Sequence, residues 1–164
     1  MKTYLDENGI NITVHMHGKL PKNVVKLEVP DSHPLASTEW GAHYQDAWRY
    51  KYENGSPVDI YIDMDVARDI HAVFLRAARN KVLEAYDLNT TKALERNDKD
   101  RLQYIGKTKQ YLRDFMNSIN LDEIKTAEEL YNFRPHILYG NSNGEEVLPE
   151  ELRGHAGEAK KYGW

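Results

Sequence analysis

His15-Met16-His17 is the pattern in this sequence most able to hold a metal. In a strand, residues i and i+2 point to the same side, so both imidazoles could face one ion. Such a site needs a third and usually a fourth ligand; Asp31, His33, Glu39 and His43 are candidates, and no spacing singles them out. Two histidines on the polar face of a strand is the simpler reading, and no metal is assigned. Asp63-Met64-Asp65, with Asp59 nearby, could form a carboxylate cluster for a divalent cation. A calcium loop that began at Asp63 would need glycine at its sixth position and glutamate at its twelfth, where Arg68 and Phe74 stand. Helix capping accounts for these aspartates better. Arg68, Asp69, His71, Arg76 and Arg79 could suggest an acid–base face, but the arginines spread around a helix as they do on a solvated one. No serine or threonine sits in a nucleophile motif and there is no glycine-rich phosphate loop, so no catalytic residue and no cofactor is assigned.

The more informative chemistry is aromatic. Trp40, Tyr44, Trp48, Tyr50 and Tyr52 crowd into thirteen positions, and tyrosine occurs eleven times in 164 residues. Aromatic side chains dominate interface hot spots because they bury much area with few rotatable bonds. They also fill small cores, and half of an alternating strand faces inwards in any case. These five residues are the candidate partner-binding set.

The elements that must position them read as follows. Ile10, Ile12 and Val14 alternate with polar residues, after an Asn8-Gly9 turn signal, and Val24, Val25, Leu27 and Val29 suggest a second strand ended by Pro30. Residues 47–53 and 58–62 alternate about Asn54-Gly55, which predicts a hairpin. From Asp63 the period changes: Ala67, Ile70, Phe74, Ala78 and Val82 predict a helix over 64–86, capped by Asp63 or Asp65. A separate short helical turn is expected from Asn89 to Leu94, then an interruption at Asn97-Asp98. A helix over 98–118 would bury Leu102, Ile105, Leu112, Met116 and Ile119, with Gly106 marking close packing or a soft point. Thr126 and Glu129 form a capping box for a short helix that ends before Arg134-Pro135. The expected fold is α+β: a small antiparallel β unit, then a helical hairpin and a short third helix. The regions are a β-rich, aromatic-rich 1–62, a helical 63–138 and a polar, acidic tail over 139–164, with a short helix near 149–153.

Bulk properties limit the partners. The net charge is −4, and Lys/Arg against Asp/Glu run six to eight over 1–62, eleven to nine over 63–120 and five to nine over 121–164. No block has the basic density that phosphate neutralisation requires, so nucleic acid is not expected, and the acidic tail disfavours anionic membranes. Without cysteine there is no disulfide, thiol catalysis or Cys-ligated zinc. The N-terminal residues lack the apolar stretch of a secretory signal, no run is long enough to span a bilayer, and the mean hydropathy is −0.75.

One longer order of motifs stands out. Asp65-Val66-Ala67-Arg68-Asp69-Ile70-His71 leads to Leu75-Arg76-Ala77-Ala78-Arg79, and then to Leu83-Glu84-Ala85-Tyr86-Asp87-Leu88. Ala93-Leu94-Glu95, Lys109-Gln110-Tyr111-Leu112-Arg113-Asp114, Thr126-Ala127-Glu128-Glu129-Leu130 and Arg134-Pro135 follow. This order resembles the C-terminal module of phage tail and tail-fibre assembly proteins of the tail assembly chaperone-like kind, over residues 63–138. Where that family has alanine-rich helices, several positions here are tyrosine or charged. The resemblance implies a non-enzymatic helper in tail-fibre assembly that binds a fibre or tail protein in the host cytoplasm. The family has no catalytic residues to transfer. Alternatives in keeping with the same residues are a structural component of the virion tail, an inhibitor of a host defence protein and, more remotely, a metal enzyme built on His15 and His17. Stoichiometry is left open.

Overall fold

A computed structural model describes residues 2–5, 12–15 and 26–139. Strands β1 (Lys2–Leu5), β2 (Ile12–His15) and β3 (Lys26–Glu28) form an antiparallel sheet in the order β2-β1-β3, with Thr3 opposite Val14 on one side and Leu27 on the other. Two short helices follow, α1 (Pro34–Ser37) and α2 (Glu39–His43), then a 3-10 turn at Gln45–Ala47. Strands β4 (Trp48–Glu53) and β5 (Ser56–Ile62) form an antiparallel hairpin. The rest is helical: α3 (Met64–Glu95), α4 (Lys99–Ser118), a 3-10 turn at Leu121–Glu123, α5 (Ala127–Asn132) and α6 (His136–Tyr139). The fold is α+β. Among the described residues no helix is long and apolar enough to cross a membrane.

The described residues fall into two compact units. One runs to His71 and includes Leu121–Asn132; the other comprises Ala72–Asn120 and the chain from Phe133. The first unit therefore extends past the β-to-helix change near residue 62 and takes in the first two turns of α3. Side chains from both sheets share its core, with Ile12, Val29, Leu35, Trp48, Tyr50 and Ile60 buried together. A second cluster joins Tyr44 and Ala47 to Ala67 of α3 and to Ala127 and Leu130 of α5.

Local signals set most element ends. Asn54 and Gly55 have φ of 48° and 80°, the left-handed pair that a tight hairpin turn requires. The Asp63 carboxylate accepts from the amides of Asp65 (3.1 Å) and Val66 (3.3 Å), capping α3. At the other end Asn97 is left-handed (φ 53°), its N–H donates to Leu94 and that of Asp98 donates to Ala93, which is a Schellman closure. Asp98 then caps α4, accepting from the Arg101 amide at 3.0 Å. Thr126 Oγ1 accepts from the Glu129 amide at 3.2 Å. The two positions read as an interruption thus end one helix and begin the next.

Other expectations need correcting. β1, the central strand, was not expected; it is four residues long, and of its side chains Thr3 is buried without being apolar. Ile10, Val24, Val25, Met16, His17 and the expected helix near 149–153 lie outside the described residues. The expected break before Asn89 does not occur. Thr90 Oγ1 donates to the Tyr86 carbonyl at 2.8 Å and Thr91 Oγ1 to that of Asp87 at 3.4 Å, so these hydroxyls are satisfied within the helix and do not end it. The buried stripe of α4 is Arg101, Tyr104, Ile105, Thr108 and Leu112; Leu102, Met116 and Ile119 are only half-buried. Lys109 meets Asp87 across the α3–α4 hairpin.

Two glycines differ in kind. A Cβ on Gly41 would lie 1.9 Å from the Pro34 carbonyl oxygen, so only glycine permits α2 to approach α1 this closely. A Cβ on exposed Gly106 would meet nothing within 4 Å, which removes close packing as its reason. Gly106→Ala should therefore stabilise the chain by about 0.5–1 kcal/mol in urea unfolding, the helix-propensity difference alone. Gly41→Ala should destabilise it.

Candidate partner-binding surface

The aromatic segment is positioned by the two short helices and the hairpin. Pro34 opens α1, whose N-cap His33 accepts from the Leu35 amide through Nδ1 at 3.2 Å. Thr38 caps α2 through the Gly41 amide at 2.9 Å. The turn brings the Gly41 carbonyl to the Trp48 indole, which donates to it at 2.9 Å. Trp40 stacks on Trp48 with centroids 6.0 Å apart, and His33 meets its ring edge-on at 5.2 Å. Tyr44, directly after α2, places its hydroxyl 3.0 Å from His71 Nδ1, inside the α2–α3–α5 cluster. His43 packs edge-on against Tyr44 and Tyr131, and the Tyr131 hydroxyl donates to Glu39 at 3.1 Å.

Three of the five candidate residues are therefore core. Tyr44, Trp48 and Tyr50 are buried, and Trp40 is half-buried. Tyr50 and Tyr52 lie on the same face of β4, two residues apart and edge-on at 6.2 Å, but Tyr52 extends beyond the core and remains 49% exposed. The correction follows from the pleat: the face carrying Trp48 and Tyr50 is the one that meets the first sheet. The outward face carries Arg49 opposite Tyr61 and Lys51 opposite Asp59. The register then shifts so that Tyr52 pairs with Pro57, leaving Val58 as the extra residue of a bulge.

Tyr61 (51% exposed) and Val58 were missed as surface residues, and they join Tyr52 as the exposed large hydrophobics of the hairpin. The signal was present: Tyr61 alternates with Ile60 and Ile62, so one of the two sets had to face solvent. Among the described residues neither β4 nor β5 pairs with a further strand.

The other candidates have structural tasks. Arg68 donates from Nε to the Leu121 carbonyl (3.1 Å), from Nη2 to that of Ile124 (2.9 Å) and from Nη1 to Asp65 (2.7 Å). It is a clamp on the returning chain rather than a solvated charge. His71 is fully buried, and Asp59 accepts from the Ile60 amide at 2.8 Å. Among the described residues no group of three His, Asp or Glu side chains is placed to hold a metal ion. His15 ends β2.

No protein-family model matches the chain, and comparisons with curated proteins and with solved structures find no match.

Tyr50 ties β4 to β1. Thr3 Oγ1 donates its one proton to the Leu27 carbonyl at 2.9 Å, so the Tyr50 hydroxyl must be the donor in its 2.9 Å bond to Thr3. Thr3→Val leaves a buried phenol without an acceptor and should cost about 1–3 kcal/mol, whereas Tyr50→Phe leaves Thr3 still bonded to Leu27 and should cost about 1 kcal/mol, both by urea unfolding. Burial, with Tyr52 nearby, pushes the Tyr50 phenol above its ordinary value of 10.0. Above pH 10 the unfolded chain loses this proton before the folded one does, so stability should fall as pH rises from there. Unfolding titrations should show a shallower alkaline fall for Tyr50→Phe.

Proposed function

We propose that the protein is a phage tail or tail-fibre assembly helper that binds a fibre or tail protein without catalysis and acts in the host cytoplasm during assembly. The phage assignment rests on the resemblance of residues 63–138. The observation that carries the binding role is the β4–β5 hairpin, which holds Val58, Tyr52 and, on the face opposite Tyr52, Tyr61 about half-exposed, and which pairs with no further strand among the described residues. Tyrosine suits such a surface, since its ring buries apolar area while its hydroxyl stays wet. An unfinished fibre exposes apolar and strand-edge surface until its chains are wound together, and an aromatic patch or an added strand can cover it meanwhile.

Co-expression with a phage tail-fibre protein, followed by size-exclusion chromatography, tests the reading. A complex should form, and Tyr52→Ser with Tyr61→Ser should weaken it at least about tenfold while the circular dichroism spectrum is unchanged. Mass spectrometry of mature particles then separates the roles. Absence from particles fits a helper; stoichiometric retention would make the protein a structural component instead.

A further inference from the structure

The second unit carries a surface of different character. Val73, Ala77, Asn80, Glu84, Leu88 and Thr91 follow one another at steps of three or four residues, which puts them in one line along α3, and all are exposed. Val73 and Leu88, near the two ends of this line, are 60% and 61% exposed. An isolated exposed leucine is ordinary; the arrangement about the middle of the line is not. Val73 and Leu88 are equidistant from the point between Asn80 and Lys81, as are Ala77 and Glu84.

The charge changes sign close to that point, between Leu83 and Glu84. Residues 72–83 contain Arg76, Arg79 and Lys81 and no acid, whereas residues 84–95 contain Glu84, Asp87 and Glu95 against Lys92. A second α3 laid parallel on this ridge would set like charges together. Laid antiparallel, it sets the basic half of each helix on the acidic half of the other and brings Val73 against Leu88 of the second copy. Ala77 and Asn80 near the crossing are small enough for helix axes about 8–10 Å apart. A lipid surface fits poorly, because the acidic half would be repelled by anionic headgroups.

We propose that this ridge is an isologous docking surface for a second copy of the chain, with the two α3 helices antiparallel and the two-fold axis passing beside Asn80. The proposal is independent of the partner assigned to the hairpin.

The full chain tests it by sedimentation equilibrium over a concentration series. A concentration-dependent dimer is expected. Leu88→Ser and Glu84→Lys should each raise its dissociation constant at least about tenfold, and adding Arg76→Glu to Glu84→Lys should recover much of the loss. These positions are exposed, so circular dichroism and thermal unfolding should show the variants folded. The natural absence of cysteine makes the geometry testable by cross-linking. Under mild oxidation Asn80→Cys should form a disulfide-linked dimer, because a residue beside the two-fold axis meets itself, and Leu88→Cys should not. Three results would overturn the proposal: a monomer up to about 1 mM, a dimer indifferent to Leu88→Ser and Glu84→Lys, or cross-linking at Leu88→Cys in preference to Asn80→Cys.

Discussion

A buried aromatic residue with a polar tip must find a partner for that tip, and the first unit is organised around three such obligations. The Trp48 indole is met by the Gly41 carbonyl, the Tyr50 hydroxyl by Thr3, and the Tyr44 hydroxyl by His71. Leaving one unmet in an apolar interior costs about 1–3 kcal/mol. The three partners come from α2, β1 and α3, so satisfying the tips draws those elements onto the aromatic segment. The first sheet, itself short, is held to the hairpin by this requirement as well as by apolar contact with Ile12 and Val29. Gly41 serves two ends, since its carbonyl accepts from Trp48 and its lack of a Cβ lets α2 sit close to Pro34.

Arg68 has the corresponding task on the helical side of that unit. Its guanidinium donates to two carbonyls of the 121–124 segment, that of Leu121, which also accepts from the Ile124 amide, and that of Ile124. This recovers the chain after α4 and places α5 so that Ala127 and Leu130 can close the core around Tyr44. A charge on an amphipathic helix thereby becomes a joint, and residues far apart in sequence fall into one compact unit.

Meeting these obligations also decides which surface remains. The aromatic residues that look most like hot spots are committed inwards, and the exposed large apolar side chains are those that the core does not require: Tyr52, Val58 and Tyr61 on the hairpin, Val73, Phe74, Leu88 and Leu94 on α3. The bulge at Val58 and the proline beside it interrupt the ladder of β5, while β4 runs without proline from Trp48 to Glu53.

By itself the sequence determined what depends on near neighbours: the α+β class, the Asn54-Gly55 turn, an aspartate cap at Asp63 or Asp65, the cap at Thr126, and a composition without cysteine. A left-handed φ or an N-cap bond is settled within three or four residues, so its signature is local. Tertiary structure alone decided that Lys2–Leu5 is a central strand, that α3 continues through Asn89 to Glu95, that the buried stripe of α4 turns towards Arg101 and Thr108, and that Tyr44, Trp48 and Tyr50 are core. Alternation shows that a strand has two unlike faces, and helical spacing shows that a helix has a stripe. Which face is buried depends on what packs against it, and Thr3, His71 and the Leu121–Ile124 segment come from sequence positions that no local pattern connects.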